Sequence, residues 1–291
     1  MTEATMRPAP HKRHHVWLEV ALNGALGKAM QPNMPVSVEA IVAEGIACAA
    51  AGAAIIHLHA YDDNAAPTEN ADIYARIIEG IRVRCDAIVY PTLALSGTLD
   101  ERLAPLRSLA ARDLLEWIVV DPGSVNIRHA LQVQADIPGI LYANPDDHIE
   151  AGLALASACN LRPAYAIYEP GFARLGAALA SRHQQLAAPI YRVMFSDNLL
   201  FGSAPTIEAL QFYASHLATN CPDAPWMISG LDANIEPIMP TALELGFHLR
   251  VGLEDAPLGS SATNVQLVEQ AIAQITHAGK TPATPAQVRG H

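Results

Sequence analysis

The chain has 291 residues, is 51% hydrophobic with only 5% aromatic residues, and carries a formal net charge of −11. The length suits one large α/β domain, since eight-stranded barrels run to about 250 residues. The acidic balance argues against broad binding to nucleic acid or to anionic membrane surfaces. The longest apolar run, Gly45 to Ile56, stops at His57 and is too short to span a bilayer. Lys12 and Arg13 mimic the start of a secretory signal, but Glu19 and Asn23 interrupt the apolar stretch that follows. Cys48, Cys85, Cys159 and Cys221 make no C-x-x-C pair, and they read as reduced thiols of a cytoplasmic protein.

In chain order, residues 1–15, with the cluster His11-Lys12-Arg13-His14-His15, read as a flexible tail, and residues 16–291 as one barrel domain. Trp17 to Leu22 is the first strand. Ser37 caps a helix that runs to Ala51 and ends at Gly52. The second strand runs through Ala53-Ala54-Ile55-Ile56-His57-Leu58-His59. Asn70 caps a helix to about Cys85, with Ile73, Ile77 and Ile81 at helical spacing. Ala87 to Thr92 is the third strand, and Thr98-Leu99-Asp100-Glu101 is a capping-box pattern opening a helix to about Ala111. Leu115 to Val120 is the fourth strand. Residues 121–145 are irregular and rich in turn formers, and a loop that long is either functional or contains small elements that the sequence does not place.

Asp146 or Asp147 caps a helix to about Asn160. Ala164 to Tyr168 is the fifth strand, and Phe172 to Leu186 is helical. Ile190 to Phe195 is the sixth strand, and Ser203 with Pro205 opens a helix to about Thr219. Trp226 to Ser229 is the seventh strand, followed by a helix over 236–245. His248 to Val251 is the eighth, and Ser260 or Ser261 caps a last helix. Eight strands alternating with helices imply parallel pairing with right-handed crossovers, hence a (β/α)₈ barrel.

A barrel places its chemistry at the C-terminal ends of the strands. Asn23, His57, His59, Thr92, Asp121, Ser124, Glu169, Glu254 and Asp255 all fall there. His57 and His59 are two apart on a strand, so they face the same way, as a divalent metal site requires. Barrel closure makes the eighth strand a neighbour of the first. Glu254 therefore reaches the two histidines across the rim and leaves coordination positions open for catalysis. Arg250 sits inside an apolar strand and needs a partner such as Asp255. Glu19, mid-strand, either faces the interior with a partner or sits toward the bottom of the barrel.

These stretches resemble the β-keto acid cleavage enzymes, typified by 3-keto-5-aminohexanoate cleavage enzyme. The likeness is carried in order by Asn23-Gly24-Ala25, Gln31-Pro32-Asn33-Met34-Pro35, Ala51-Gly52-Ala53 with His57-Leu58-His59, and Glu101-Arg102-Leu103. It continues through Tyr168-Glu169-Pro170-Gly171, Arg250-Val251-Gly252-Leu253-Glu254-Asp255 and Thr263-Asn264-Val265-Gln266-Leu267-Val268. The resemblance implies a homo-oligomeric, typically tetrameric, barrel with a zinc or other divalent ion. It implies a reaction of a β-keto acid with acetyl-CoA giving acetoacetate and a new acyl-CoA. It assigns His57, His59 and Glu254 as metal ligands and Asp255, oriented by Arg250, as general base. Thr92, Glu169, Asn23 and Ser124 are the substrate-side candidates.

The departures from the family pattern concern the substrate side. Asn23 stands for the usual threonine of the first turn, Leu26 for a glutamate and Tyr61 for an arginine. Thr92-Leu93-Ala94-Leu95-Ser96-Gly97 replaces the usual STGG, and Ala256 replaces an asparagine. They imply retained metal chemistry on a different acid. Three other readings compete: an amidohydrolase, for which His248 is the only extra histidine near the later strands' ends; an iron oxygenase with the same ligand set; and a barrel that binds metal or acyl-CoA without turnover.

Overall fold

Eight short, almost wholly buried strands form the wall: β1 (Leu18–Ala21), β2 (Ile55–Leu58), β3 (Ile88–Pro91), β4 (Trp117–Val119), β5 (Arg162–Ile167), β6 (Ile190–Phe195), β7 (Trp226–Gly230) and β8 (His248–Val251). The computed structural model describes residues 14–291, so His11, Lys12 and Arg13 of the expected tail lie outside the described residues. The sheet runs β3-β2-β1-β8-β7-β6-β5-β4 with every neighbouring pair parallel. Among the described residues no ladder joins β3 to β4. The Tyr90 and Trp117 rings, 5.6 Å apart, span that seam of a near-closed (β/α)₈ barrel. Strands covered on both faces need continuous apolar runs rather than alternation, and that is how these segments read.

The helices are α1 (Val38–Ala51), α2 (Ala71–Arg82), α3 (Leu99–Ala111), α4 (Ala130–Gln134), α5 (Asp146–Cys159), α6 (Pro170–Arg182), α7 (Ile207–Asn220), α8 (Met239–Glu244), α9 (Asn264–His277) and α10 (Pro285–Arg289). Ser37 and Asn70 cap as expected, and Thr98 with Glu101 makes the full capping box. Other starts differ. Thr206 caps α7 and Thr263 caps α9, each hydroxyl accepting a backbone N–H three residues on. Asp146 and Asp147 lie inside the first turn of α5, where their charge meets the positive end of the helix dipole. Pro170, rather than Phe172, opens α6.

Two further features shape the ends of the barrel. The small elements within residues 121–145 are a hairpin: Val125–Ile127 pairs antiparallel with Ile140–Tyr142, and the hairpin carries α4. At the opposite end His15 pairs with Thr281, so regular structure begins within the stretch expected as tail. There Arg289 of α10 pairs with Asp86 and Glu116, tying the last helix to the segments before β3 and β4.

Candidate active site

β2 delivers His57, and the residue next but one delivers His59 on the same interior side. Their rings stand 5.4 Å apart and perpendicular. β8 pairs with β1, and β1 with β2, with Ala21 opposite His57. This order brings the β8 loop over the histidines. His57 Nε2 lies 3.4 Å from Glu254 Oε2, and His59 Nε2 lies 3.3 Å from Glu254 Oε1. One ligand atom from each of the three residues falls within 4.8 Å of the others. The approach depends on Gly252, whose φ is 138° and where a methyl would strike the Ala21 carbonyl.

Burial holds the His57 imidazole well below its usual range, so it is neutral with a lone pair to give. Burial alone would raise Glu254. Arg250, then His57 and His59, outweigh it and hold the carboxyl well below the usual carboxylate range. His59 Nε2 and Glu254 Oε2 are buried without a hydrogen-bond partner, an arrangement that costs about 1–3 kcal/mol per group. Two imidazoles and a carboxylate converging on one point are the donors a divalent cation needs, with positions left open for substrate. The residues present therefore fit such an ion.

Asp255 is held next to this cluster but faces other partners. Arg250 donates from Nε to Asp255 Oδ2 at 2.9 Å and from Nη2 to Oδ1 at 2.8 Å, and Ser229 Oγ donates to Oδ2 at 2.7 Å. Burial raises the Asp255 carboxyl above its ordinary value, with Arg250 pulling the other way. A carboxylate tuned upward is a better proton acceptor. Beneath the pair, Glu19 is fully buried and faces the interior. Its Oε1 accepts from Tyr90 (2.6 Å), Arg250 (3.0 Å) and Arg192 (3.1 Å). The sequence reading identified Glu19 but missed Arg192, Tyr90 and Ser229. Arg192, a charge inside the apolar run Ile190–Phe195, carried the same signal as Arg250.

The substrate-side candidates fare unevenly. Asn23 is a correction: its amide has no capacity left for a substrate. Oδ1 accepts from the N–H groups of Gly24 and His59, and Nδ2 donates to the carbonyls of Pro35 and His59. Asn23 clamps His59 instead. Asn23→Ala should therefore weaken metal binding by about 10–100-fold, as loss of a ligand's supporting contacts does. Zinc titration calorimetry checks this, and wild-type affinity would refute it. Tyr61 takes a similar part, donating from its hydroxyl to the Gly24 carbonyl at 2.6 Å. Thr92 is half-buried beside β2, its N–H bonded to the Leu58 carbonyl. Ser124 Oγ accepts from the Asn144 N–H, and Glu169 Oε1 from the Gly202 N–H. None of these bonds reaches the three-residue cluster. Leu26 is 53% exposed at the rim, and Ala256 is buried. His248 lies at the N-terminal end of β8, stacked on Trp17 with centroids 4.5 Å apart, which removes the extra ligand an amidohydrolase would need.

Fold and site together make a (β/α)₈ barrel with two histidines and a glutamate clustered beside an arginine-paired aspartate at the C-terminal mouth. A family model described as beta-keto acid cleavage enzyme matches residues 15–291, and the chain belongs to that family. The 3-oxoadipate:acetyl-CoA acetyltransferase of Cupriavidus necator is 27% identical over 277 residues, covering 94% of this chain and 92% of that protein. The 3-keto-5-aminohexanoate cleavage enzyme of Acetoanaerobium sticklandii is 26% identical over 281 residues, covering 94% and 96%. Among solved structures, apo ObcA matches with a TM-score of 0.70 at 17% identity over 89% of this chain. The chain spans 65% of ObcA's length, and that likeness concerns the fold.

Proposed function

We propose that this protein is a metal-dependent acyltransferase that cleaves a β-keto acid with acetyl-CoA, giving acetoacetate and a new acyl-CoA. One observation carries the reading: the His57–His59–Glu254 cluster and the Asp255–Arg250 pair sit side by side, with ligand and base adjacent in the chain. Acetyl-CoA as the co-substrate is taken from the acetyl-CoA-dependent relative. A zinc or other divalent ion held by the three residues supplies Lewis acidity, drawing electron density from the keto oxygen so that C2 of the acid loses its proton more readily. Zinc is the favoured ion for an N,N,O donor set with an open position.

Asp255 takes the C2 proton, held in place by the paired donors of Arg250 and by Ser229. The C2 electron pair attacks the thioester carbon of acetyl-CoA; a carbon–carbon bond forms, the C–S bond breaks and CoA thiolate leaves. The thiolate adds to the acid's original keto carbon. The bond between that carbon and C2 then breaks, releasing the new acyl-CoA, and Asp255 returns its proton to C2 of acetoacetate. Thr92 and Glu169 are the rim groups proposed to meet the acid, with Ser124 supporting the rim through Asn144. Leu26 offers no carboxylate to an ammonium group, which favours an acid without the amine of 3-keto-5-aminohexanoate. We place the protein in the cytoplasm as a homo-oligomer. Among the described residues no helix is long and apolar enough to cross a membrane.

The test is the metal content of purified wild type beside His57→Ala and Glu254→Ala, with acetoacetate formation measured over a panel of β-keto acids. The reading expects about one divalent ion per chain, loss of it in both variants, and acetoacetate from some member of the panel. A wild type that binds no ion after reconstitution would overturn it. An amino acid substrate turned over best would overturn the role of Leu26 alone.

A further inference from the structure

We propose that Arg102 is a positioning residue for recognition of the acid's carboxylate: its buried guanidinium fixes the loop after β3 so that the loop's amides face the barrel mouth. The proposal rests on the β-keto acid reading above. Arg102 lies in the first turns of α3 and is 2% exposed. Its Nε donates to the Ala94 carbonyl (2.8 Å), Nη1 to the Ala143 carbonyl (2.8 Å) and Nη2 to Asn144 Oδ1 (2.7 Å). His148 Nδ1 lies 2.9 Å from Nη1. Arginine only donates, so that nitrogen accepts and His148 carries its proton on Nε2. None of these acceptors is charged.

Asn144 extends the clamp: its N–H reaches Ser124 Oγ and its Nδ2 the Gly123 carbonyl. One buried cation thus ties the loop after β3, the loop after β4 and the strand returning from the hairpin. Burying a cation is costly and needs full hydrogen bonding to persist, and here the buried Asp121 carboxyl is also close enough to feel its charge. The geometry gives it a use. A peptide unit is planar with its C=O and N–H antiparallel. Arg102 draws the Ala94 carbonyl inward, which turns the Leu95 N–H the other way, out of the core. Among the described residues, the backbone N–H groups of residues 93–97 donate to no backbone carbonyl. Consecutive unbonded N–H groups beside a fixed positive charge attract an anion, and these stand next to Thr92, one strand from His57.

The experiment compares holoenzyme wild type, Arg102→Met and Arg102→Lys in two measurements: limited chymotrypsin cleavage after Leu93 and Leu95, read by mass spectrometry, and steady-state kinetics with the best acid of the panel. In Arg102→Met, cleavage within 93–97 should accelerate. KM for the β-keto acid should rise roughly 10–100-fold, the loss expected for hydrogen bonds to a charged group. Metal content, kcat and the KM for acetyl-CoA should stay at wild-type values. Arg102→Lys keeps the charge without the fork and should recover only part of the loss. An unchanged KM for the acid in the folded Met variant would overturn the proposal. So would kcat and both KM values failing together with a lowered Tm, the pattern of a merely structural arginine. If the Met variant does not fold, Arg102→Lys decides alone: a raised KM for the acid at wild-type Tm supports the proposal, and wild-type KM overturns it. A wild type that forms no acetoacetate sinks the function, whereas unchanged cleavage within residues 93–97 in the variants sinks the clamp itself.

Discussion

Asp255→Asn is expected to lower kcat by about 10²–10⁴-fold, the usual contribution of a positioned general base, while the protein keeps its metal. The substitution is nearly isosteric. The amide oxygen still accepts from Arg250 or Ser229, which hold the carboxylate at 2.7–2.9 Å in the native site. It removes the capacity to take a proton at C2 of the acid, together with one acceptor and one of the three negative charges around Arg250, which keeps Glu19 and Glu254. Glu254, one residue earlier, faces the histidines rather than Ser229, so the ligand set is left in place. Steady-state kinetics and metal analysis of the same preparation check both halves. Activity within tenfold of wild type would place the base elsewhere. Loss of metal would mean that residues 254 and 255 cannot be separated into ligand and base.

The second large effect is on stability. Arg250→Met should destabilise the fold by about 3–5 kcal/mol, as breaking a buried ion-pair network from one side does. Arg250 is 3% exposed and touches three carboxylates: Glu19 at 3.0 Å, Asp255 at 2.8 Å and Glu254 at 3.3 Å. Removing it leaves Arg192 and Tyr90 to compensate Glu19, and Asp255 with a serine hydroxyl alone. Burial already raises Asp255 against the pull of Arg250, so without the arginine that carboxyl is driven further toward its neutral form. Chemical denaturation measures the change. A shift below about 1 kcal/mol, the range of an exposed ion pair, would mean the charges are better solvated than their burial indicates.

Much of the site was legible because barrel closure and strand alternation are strong constraints. His57 and His59 share a face at any register of β2. Once β8 neighbours β1, Glu254 has one place to go. Arg250 with Asp255 was legible for another reason: a charge inside an apolar strand requires a partner, and Asp255 was the near one. Arg192 obeys the same rule, but its partner Glu19 lies 173 residues away, on a strand that only the folded order places nearby. Asn23 was misjudged because its four partners are backbone groups, which leave no trace in side-chain identity.

The small elements within 121–145 could not be placed from sequence because the hairpin's strands lack alternation, with Ile140 54% and Leu141 61% exposed. The caps of α7 and α9 fall on Thr206 and Thr263 because each helix start offers more than one hydroxyl residue within four positions, Ser203 and Thr206 at the one and Ser260, Ser261 and Thr263 at the other. Only φ and ψ at the boundary select among them.

The most direct measurement follows an isotopic label from acetyl-CoA, carbon-13 at the acetyl carbonyl, through turnover with the best β-keto acid of the panel. If C2 of the acid attacks the thioester, the label appears at the keto carbon of acetoacetate and the new acyl-CoA carries none. Label in free acetate, or acetoacetate formed without it, would contradict the carbon–carbon exchange that this site is built to perform.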